Sequence, residues 1–530
     1  MSTGGIRGAE IAVVGGGASA VCLLDALAQL EEPAGGVTIF EPGPHLWRGR
    51  PYQWDTEVLR LNATPDDMSV RHGDPGHFER WLAARDLVVG VGADETSPLD
   101  PYSGTRFAPR TVYGEYLEHS ARDSLMALIA RGWRVNIVRE RVVFAAPIAD
   151  GAVLKTEQGR QFQADYVVLC VGGGSPQDSY GLSGSPRFLP DPYPVSRTFD
   201  TLHAFDPDAE VGIIGSGLTA VDVVLALVAR GHRGPISLLS RTGLLPAVRQ
   251  RPVAHELRHF TPERVRAAAQ QGTVTLDTAI RMLGNELGAA RQDFTTVAFE
   301  IAALSREQPV ARLRRQFADV DSASTALRIM QAAVPDTGPE LWSLLPEHQK
   351  AELLHLHYRT VLTLCCPMPA ASAATLLSLI DSGQLRIVKG LQRIAVTGST
   401  PATAHDGGFT ITTDSGTLSA DHIVNAVNPP AHKIPAAAAP LIDSLVSAGV
   451  AARNPLGGLY VERATSRLTV NGTPHPRFHA LGDLAFGSLF FTFGIPAMVN
   501  RAHEIGASLR DHMSVSRRAL GPVSALASPR

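Results

Sequence analysis

Two stretches of the chain share one pattern of apolar and polar positions. In "IAVVGGGASAVCLLDALAQL" (11–30) a short apolar run meets glycines, and an apolar face at helical spacing follows. "VGIIGSGLTAVDVVLALVARG" (211–231) repeats the pattern. An apolar run closed by glycine predicts a buried strand, and the 3.6-residue period after it predicts a helix. After the first unit come "VTIFEP" (37–42), "VNIVRERVVF" (135–144) and "AVLKTEQGRQFQADYVVLCVGGG" (152–174). After the second come "ISLLSR" (236–241), "LRIVKGLQRIAV" (385–396) and "GFTITTDSGTLSADHIVNAV" (408–427). Each series predicts β-α-β, a hairpin turning at glycine, and an Ala-Asp step into an apolar strand. The fold class is therefore α/β, with two dinucleotide-binding (Rossmann-like) domains in a glutathione-reductase-like arrangement.

Between "ISLLSR" and "LRIVKG" the strand alternation stops, and helical spacing replaces it in "PERVRAAAQQ", "TAIRMLGNELGAA" and "PEHQKAELLHLHYRTVLTL". The predicted organisation is the first part of one dinucleotide-binding domain at 1–190, the first part of the other at 191–251 and a helical insertion at 252–382. The second dinucleotide-binding domain resumes over 383–430, and the first closes over 431–530. The segment 45–134 is a second insertion, into the first domain. "RFHALGD" supplies a late strand, and "PAMVNRAHEIGASLRDHM" a helix opened by Pro496.

A chain of 530 residues exceeds what one core supports. Its net charge of −3 leaves no electrostatic footprint for nucleic acid or an anionic membrane. "MSTGGIRGAE" lacks the apolar core of a secretory signal, and "SLFFTFGIPAMV" (488–499) is too short for a span. The four cysteines, Cys22, Cys170, Cys365 and Cys366, form neither a metal pair-of-pairs nor a disulfide framework. A cytoplasmic protein without metal is expected. Cys365 and Cys366 read as packed thiols, and the spacing of His355 and His357 puts them on different helical faces.

The first turn is spaced Gly15-x-Gly17-x-x-Ala20, with Glu41 ending the next strand; the second is Gly215-x-Gly217-x-x-Ala220, with Arg241. Glycines let backbone approach a pyrophosphate seated at the helix N-terminus. Glu41 lies 24 residues beyond Gly17 (41 − 17), and Arg241 lies 24 beyond Gly217 (241 − 217), so the two are expected at one structural position. A carboxylate accepts ribose hydroxyls and repels a 2′-phosphate, whereas a guanidinium binds it. FAD is expected on the first turn and NADPH on the second, with Arg249 and Arg251 near enough in sequence to share the phosphate. The alternative for Arg241 is a solvated surface residue. Asp483, ending "HALGD", is placed to bind the ribitol of FAD or else to cap a loop.

The motifs "GGGASA", "FEP", "LNATPDDMSV", "FERWL", "PRTVYGEYL", "GSGLTAVD", "SRTGLLP" and "HALGD…IPAMV" resemble the FAD/NAD(P)-binding family across about 10–512. That family is similar to flavin-dependent N-hydroxylating monooxygenases and includes aspartate N-monooxygenases that make nitrosuccinate. The resemblance implies FAD contacts at Gly15, Gly17, Ala20, Glu41 and Asp483, with Asn62 and Met68 lining the flavin. It implies NADPH contacts at Gly215, Gly217, Thr219 and Arg241. The implied activity is N-hydroxylation of a small amine or amino acid with O2 through a flavin C4a-hydroperoxide, in specialised metabolism. Two departures bear on substrate. "TLCCPMP" (363–369) stands where family members carry an Arg/His-rich segment, which counts against an acidic substrate. "FDTLHAF" replaces the Baeyer–Villiger signature ahead of the second turn. A flavin reductase passing electrons onward, a Baeyer–Villiger or S-oxidising enzyme, and a redox-sensing protein with a vestigial fold remain as alternatives. No motif designates a catalytic side chain.

Overall fold

The computed structural model describes residues 8–31, 34–89, 99–203, 206–397, 408–428, 433–490, 492 and 494–519. Its larger sheet runs in the order Arg467–Val470, Thr473–Ala480, Tyr166–Leu169, Glu10–Val14, Gly36–Phe40, Arg134–Val138. Only the first two of these strands pair antiparallel. The second sheet, parallel throughout, is ordered Leu385–Val388, Ile236–Leu239, Val211–Ile214, His422–Asn425, Phe188–Leu189. Four strands of each sheet follow the same order of chain appearance, and each sheet is accompanied by a three-stranded antiparallel meander. Strands such as Val211–Ile214 and Ile236–Leu239 are buried along their whole length, which is why they are continuous apolar runs.

The stretch 135–144 is divided between two sheets. Arg134–Val138 ends the large sheet, the charged residues 139–141 break the run, and Val142–Ile148 opens the meander. The late strand Thr473–Ala480 pairs with Tyr166–Leu169, and the helix Ile495–Ala519 packs on Ala18–Ala28, so the carboxyl-terminal segment completes the first nucleotide unit. Among the described residues no helix is long and apolar enough to cross a membrane.

Helices from Pro262–Gln271 to Tyr358–Cys365 build cores of their own. Trp342, 1% exposed, donates its indole N–H to the Gly487 carbonyl (2.9 Å) and stacks on Phe490 with centroids 4.6 Å apart. The insertion is thereby docked beside Asp483. The helix Ala370–Asp381 packs instead on Leu218–Ala229 and on the strand Leu385–Val388, where it serves as a crossover of the second sheet.

Glu286, wholly buried, fastens the entry to these helices. One carboxylate oxygen accepts from the backbone amides of Arg258 (2.9 Å), His259 (2.5 Å) and Phe260 (2.9 Å), and the other pairs with His255 Nε2 at 2.8 Å. Burial pushes the carboxyl pKa up, but the amides and His255 outweigh it and hold it at about 2. A pKa depressed by folding stabilises the protein above the ordinary glutamate value, and that contribution is lost as pH falls toward 2. An orphaned buried donor costs about 1–3 kcal/mol. Glu286→Ala is expected to destabilise the protein by about 3 kcal/mol or more in denaturant titrations at neutral pH, with the difference from wild type shrinking as the pH is lowered below 4.

Candidate functional site

The two glycine turns are superimposable in their hydrogen bonding. Gly15 N donates to Phe40 O and Gly215 N to Leu239 O, each at 2.8 Å. Gly15 and Gly215 take φ of +111° and +115°, a region that glycine tolerates and other residues avoid. A Cβ on Gly15 would also lie 2.3 Å from Cys170 O. The second glycines differ in kind. Gly17 and Gly217 have φ of −95° and −83°, open to any residue. A Cβ on Gly17 would meet Gly49 Cα at an ordinary 3.6 Å, and one on Gly217 would meet no described atom within 4 Å. No described residue requires glycine at these two positions, so each leaves a cradle at a helix N-terminus, where unpaired amides and the dipole favour an anion. Ala20 and Ala220, both fully buried, let the helices close on their strands.

Glu41 is fixed over the first turn: its carboxylate accepts from Gly16 N (2.8 Å) and Gly43 N (2.6 Å) and keeps lone pairs for further donors. Its counterpart in the second copy is not Arg241. Glu41 N bonds Val138 O, and Ser240 N bonds Val388 O, in equivalent ladders. The connection from the second glycine to the strand end is one residue shorter in the second copy, which puts Ser240 at the carboxylate's position and Arg241 one step further out. The Ser240 hydroxyl pairs with Ser216 Oγ at 3.1 Å, a neutral contact where the first copy has a charge. Arg241 is exposed, and none of its side-chain atoms is hydrogen-bonded or ion-paired among the described residues.

Arg359, on the insertion helix Tyr358–Cys365, was invisible to sequence spacing. Burial lowers its pKa, and the charge of Arg241 lowers it further, so the two guanidiniums face one region. Arg249 and Arg251 are elsewhere. Arg251 pairs with Asp321 at 2.5 Å and donates to Tyr102 O, while Arg249 reaches back to the carbonyl of Asn62 at 2.7 Å. Neither joins Arg241. Thr219, 5% exposed, donates its hydroxyl to Asn428 Oδ1 at 2.9 Å.

Asp483 abuts the first unit. A Cβ on Gly173 would lie 2.8 Å from its carboxylate, and one on Gly482 would lie 3.2 Å from Ser19 Oγ in the first helix. Its other oxygen accepts from Thr492 at 3.3 Å, and burial pushes its pKa up. Phe490 follows with φ of +62°, an unfavourable value for an aromatic residue, held by the stack on Trp342. The Asn62 carbonyl accepts from Arg249, and Met68 packs in the first core with Ile495 and Met498. All four cysteines are free thiols, and burial raises the pKa of each of Cys365 and Cys366. His355 and His357 lie exposed on a π-helical turn.

The two units are joined by a buried network. Arg110, opening the helix Arg110–Ala130 of the first domain, contacts Asp222 Oδ2 at 2.7 Å, on the helix of the second turn. Tyr193, in the linker, accepts from Arg110 (2.7 Å) and donates to Asp222 (2.6 Å).

Residues 12–174 match a family described as FAD-NAD(P)-binding. Among solved structures, the Kutzneria sp. 744 ornithine N-hydroxylase with reduced FAD, NADP+ and L-ornithine aligns over 97% of this chain and 100% of its own, at TM-score 0.54 and 15% identity. L-lysine 6-monooxygenase from Pseudomonas syringae aligns over 95% and 99%, at 0.53 and 16%. The FAD-bound cadaverine monooxygenase of Erwinia amylovora aligns over 99% and 98%, at 0.52 and 12%. The chain has the two-dinucleotide flavoprotein fold. No curated protein is significantly similar in sequence.

Removing one member of a buried ion pair strands the other, at about 3–5 kcal/mol. Asp222→Ala is expected to lower stability by that amount in chemical denaturation. Asp74→Ala, which breaks the exposed Arg80–Asp74 pair, is expected to change it by less than about 1 kcal/mol.

Proposed function

We propose that the chain is an FAD- and NADPH-dependent monooxygenase that N-hydroxylates a small amine or amino acid. The observation that carries this reading is the pair of cradles at Gly17 and Gly217, one beside a fixed carboxylate and the other beside a guanidinium that no described residue pairs with. Gly15, Gly17, Ala20, Glu41 and Asp483 would hold FAD, with Asn62 and Met68 toward the flavin. Gly215, Gly217, Thr219 and Arg241 would hold NADPH, with Ser240 too small and neutral to repel a 2′-phosphate. The solved relatives of this fold act on ornithine, lysine and cadaverine, which supports an amine as the group oxidised.

When bound, the flavin supplies hydride acceptance from NADPH and activation of O2. The residues of this chain have to place an uncharged amine and keep water out. The aromatic cluster of Trp342, Phe486, Phe490 and Tyr358, packed beside Asp483, supplies an apolar wall for that purpose. Burial pushes the pKa values of Tyr358 and Asp483 up, which marks the dryness of this wall.

Aerobic NADPH oxidation with a panel of amines and amino acids tests the class. Hydroxylated product above the uncoupled peroxide rate is the expected result; peroxide alone with every substrate assigns the chain to the flavin reductases instead. The coenzyme assignment separates by variant. Arg241→Ala is expected to raise KM for NADPH roughly ten- to hundredfold, the worth of a charge-assisted phosphate contact, and to leave NADH unchanged. Gly217→Ala is expected to weaken both coenzymes alike while the unfolding midpoint stays within error of wild type, since its Cβ meets no described atom within 4 Å.

A further inference from the structure

Arg249 is a cation that pairs with no carboxylate among the described residues. Among the described residues its side chain makes one hydrogen bond, from Nη2 to the Asn62 carbonyl, and its buried Nε has no partner. Arg48 and Arg110 are neutralised directly, by Glu118 at 2.6 Å and by Asp222 at 2.7 Å, whereas the buried Arg312 pairs with no carboxylate among the described residues and donates to the Leu245 carbonyl within its own domain. The carboxylate nearest in effect, Asp67, is exposed and instead accepts from Thr64 Oγ1 at 3.0 Å. The neighbouring Cys366 cannot act as an anion, because burial holds its thiol at about 11 against the pull of Arg249. Burying an uncompensated cation is costly, and burial does push the Arg249 pKa down.

The side chain is not free to leave. Residues 247–249 are bound to the 363–368 segment through Ala247 N to Thr363 O (2.9 Å), Met368 N to Ala247 O (2.8 Å) and Arg249 N to Met368 O (2.9 Å). From that anchor the guanidinium crosses to Asn62, in the stretch assigned to the flavin. There, partly exposed, it bridges the second nucleotide unit to the first, which sets it at the junction where the cleft of the proposed site lies.

We infer that Arg249 is the anion subsite of this cleft and takes the carboxylate of the substrate, so that the amine oxidised is that of an amino acid. This rests on the monooxygenase reading and narrows its substrate class from amines to carboxylate-bearing amines. A single guanidinium suits one carboxylate, in keeping with the uncharged "TLCCPMP" segment opposite it. The same guanidinium chemistry would serve a coenzyme phosphate, and the coenzyme arm of the test separates the two.

The test uses the full-length protein loaded with FAD and two matched pairs that differ only by a carboxylate, L-lysine with cadaverine and L-ornithine with putrescine. Thermal shift and hydroxylated product are both read. For wild type, the amino acid of a pair is expected to raise the unfolding midpoint and to show a KM roughly ten- to hundredfold below that of its diamine. Arg249→Met is expected to abolish that preference, Arg249→Lys to restore part of it, and neither to alter KM for NADPH. The wild-type comparison stands whether or not Arg249→Met folds. Equal handling of acid and diamine by wild type overturns the subsite while leaving N-hydroxylation in place. A raised KM for NADPH in both variants assigns Arg249 to the coenzyme and also overturns it. A carboxylate-dependent thermal shift that needs Arg249, without hydroxylation of any substrate, upholds the subsite and fails the monooxygenase reading. No carboxylate-dependent shift or turnover with any of the four compounds overturns the inference.

Discussion

The buried contact between Arg110 and Asp222, closed by the Tyr193 hydroxyl, is what makes two nucleotide units into one site. Each unit has a sheet of its own, and neither sheet contributes a strand to the other. What fixes their distance is a charge pair between the helix that opens at Arg110 and the first turns of the helix following Gly217. The linker is pinned to the same place. Asp55 accepts from Val195 N (2.6 Å) and Ser196 N (2.7 Å), and Asp191 holds Arg50 at 2.7 Å. Ion pairs of this kind contribute little net stability over an apolar core, yet they tolerate only one arrangement, because a misplaced member is left charged and dry. The proposed hydride transfer between two bound molecules would have that requirement.

The insertion closes the third side by different means. Its attachment is aromatic, Trp342 on Phe490 and Gly487, with Tyr358 edge-on to Phe486. The helices that carry these rings also bring Arg359 toward Arg241 and hold Cys366 near Arg249. Two places with excess positive charge result, one at the outer end of the second sheet and one where Arg249 meets Asn62. Among the described residues none of these guanidiniums is paired with a carboxylate, which is the basis for the proposed anion sites.

Comparison of the two copies explains a difference in register that counting residues could not reveal. Equal spacing from the second glycine set Glu41 opposite Arg241, but the backbone ladders set it opposite Ser240. One residue at a strand end changes which side chain hangs over the turn and which points outward. Hydrogen bonds between neighbouring strands decide that, and sequence distance only approximates it.

Much of the architecture was legible in the chain. Apolar runs ending at glycine, helical periods and the repeated Ala-Asp step depend on local burial, and local burial leaves a periodic trace. So do Gly15 and Gly215, whose positive φ demands glycine. The rest was decided by contacts between distant segments, which leave no such trace. Nothing near Arg249 in sequence announces that it reaches Asn62, 187 positions away, and not Arg241. The spacing of Ala370–Asp381 states that it is a helix but not which core it covers. Periodicity alone determined the two nucleotide units. Which charges meet in the cleft between them was determined only by tertiary packing, since pairing and desolvation depend on what surrounds a side chain in space.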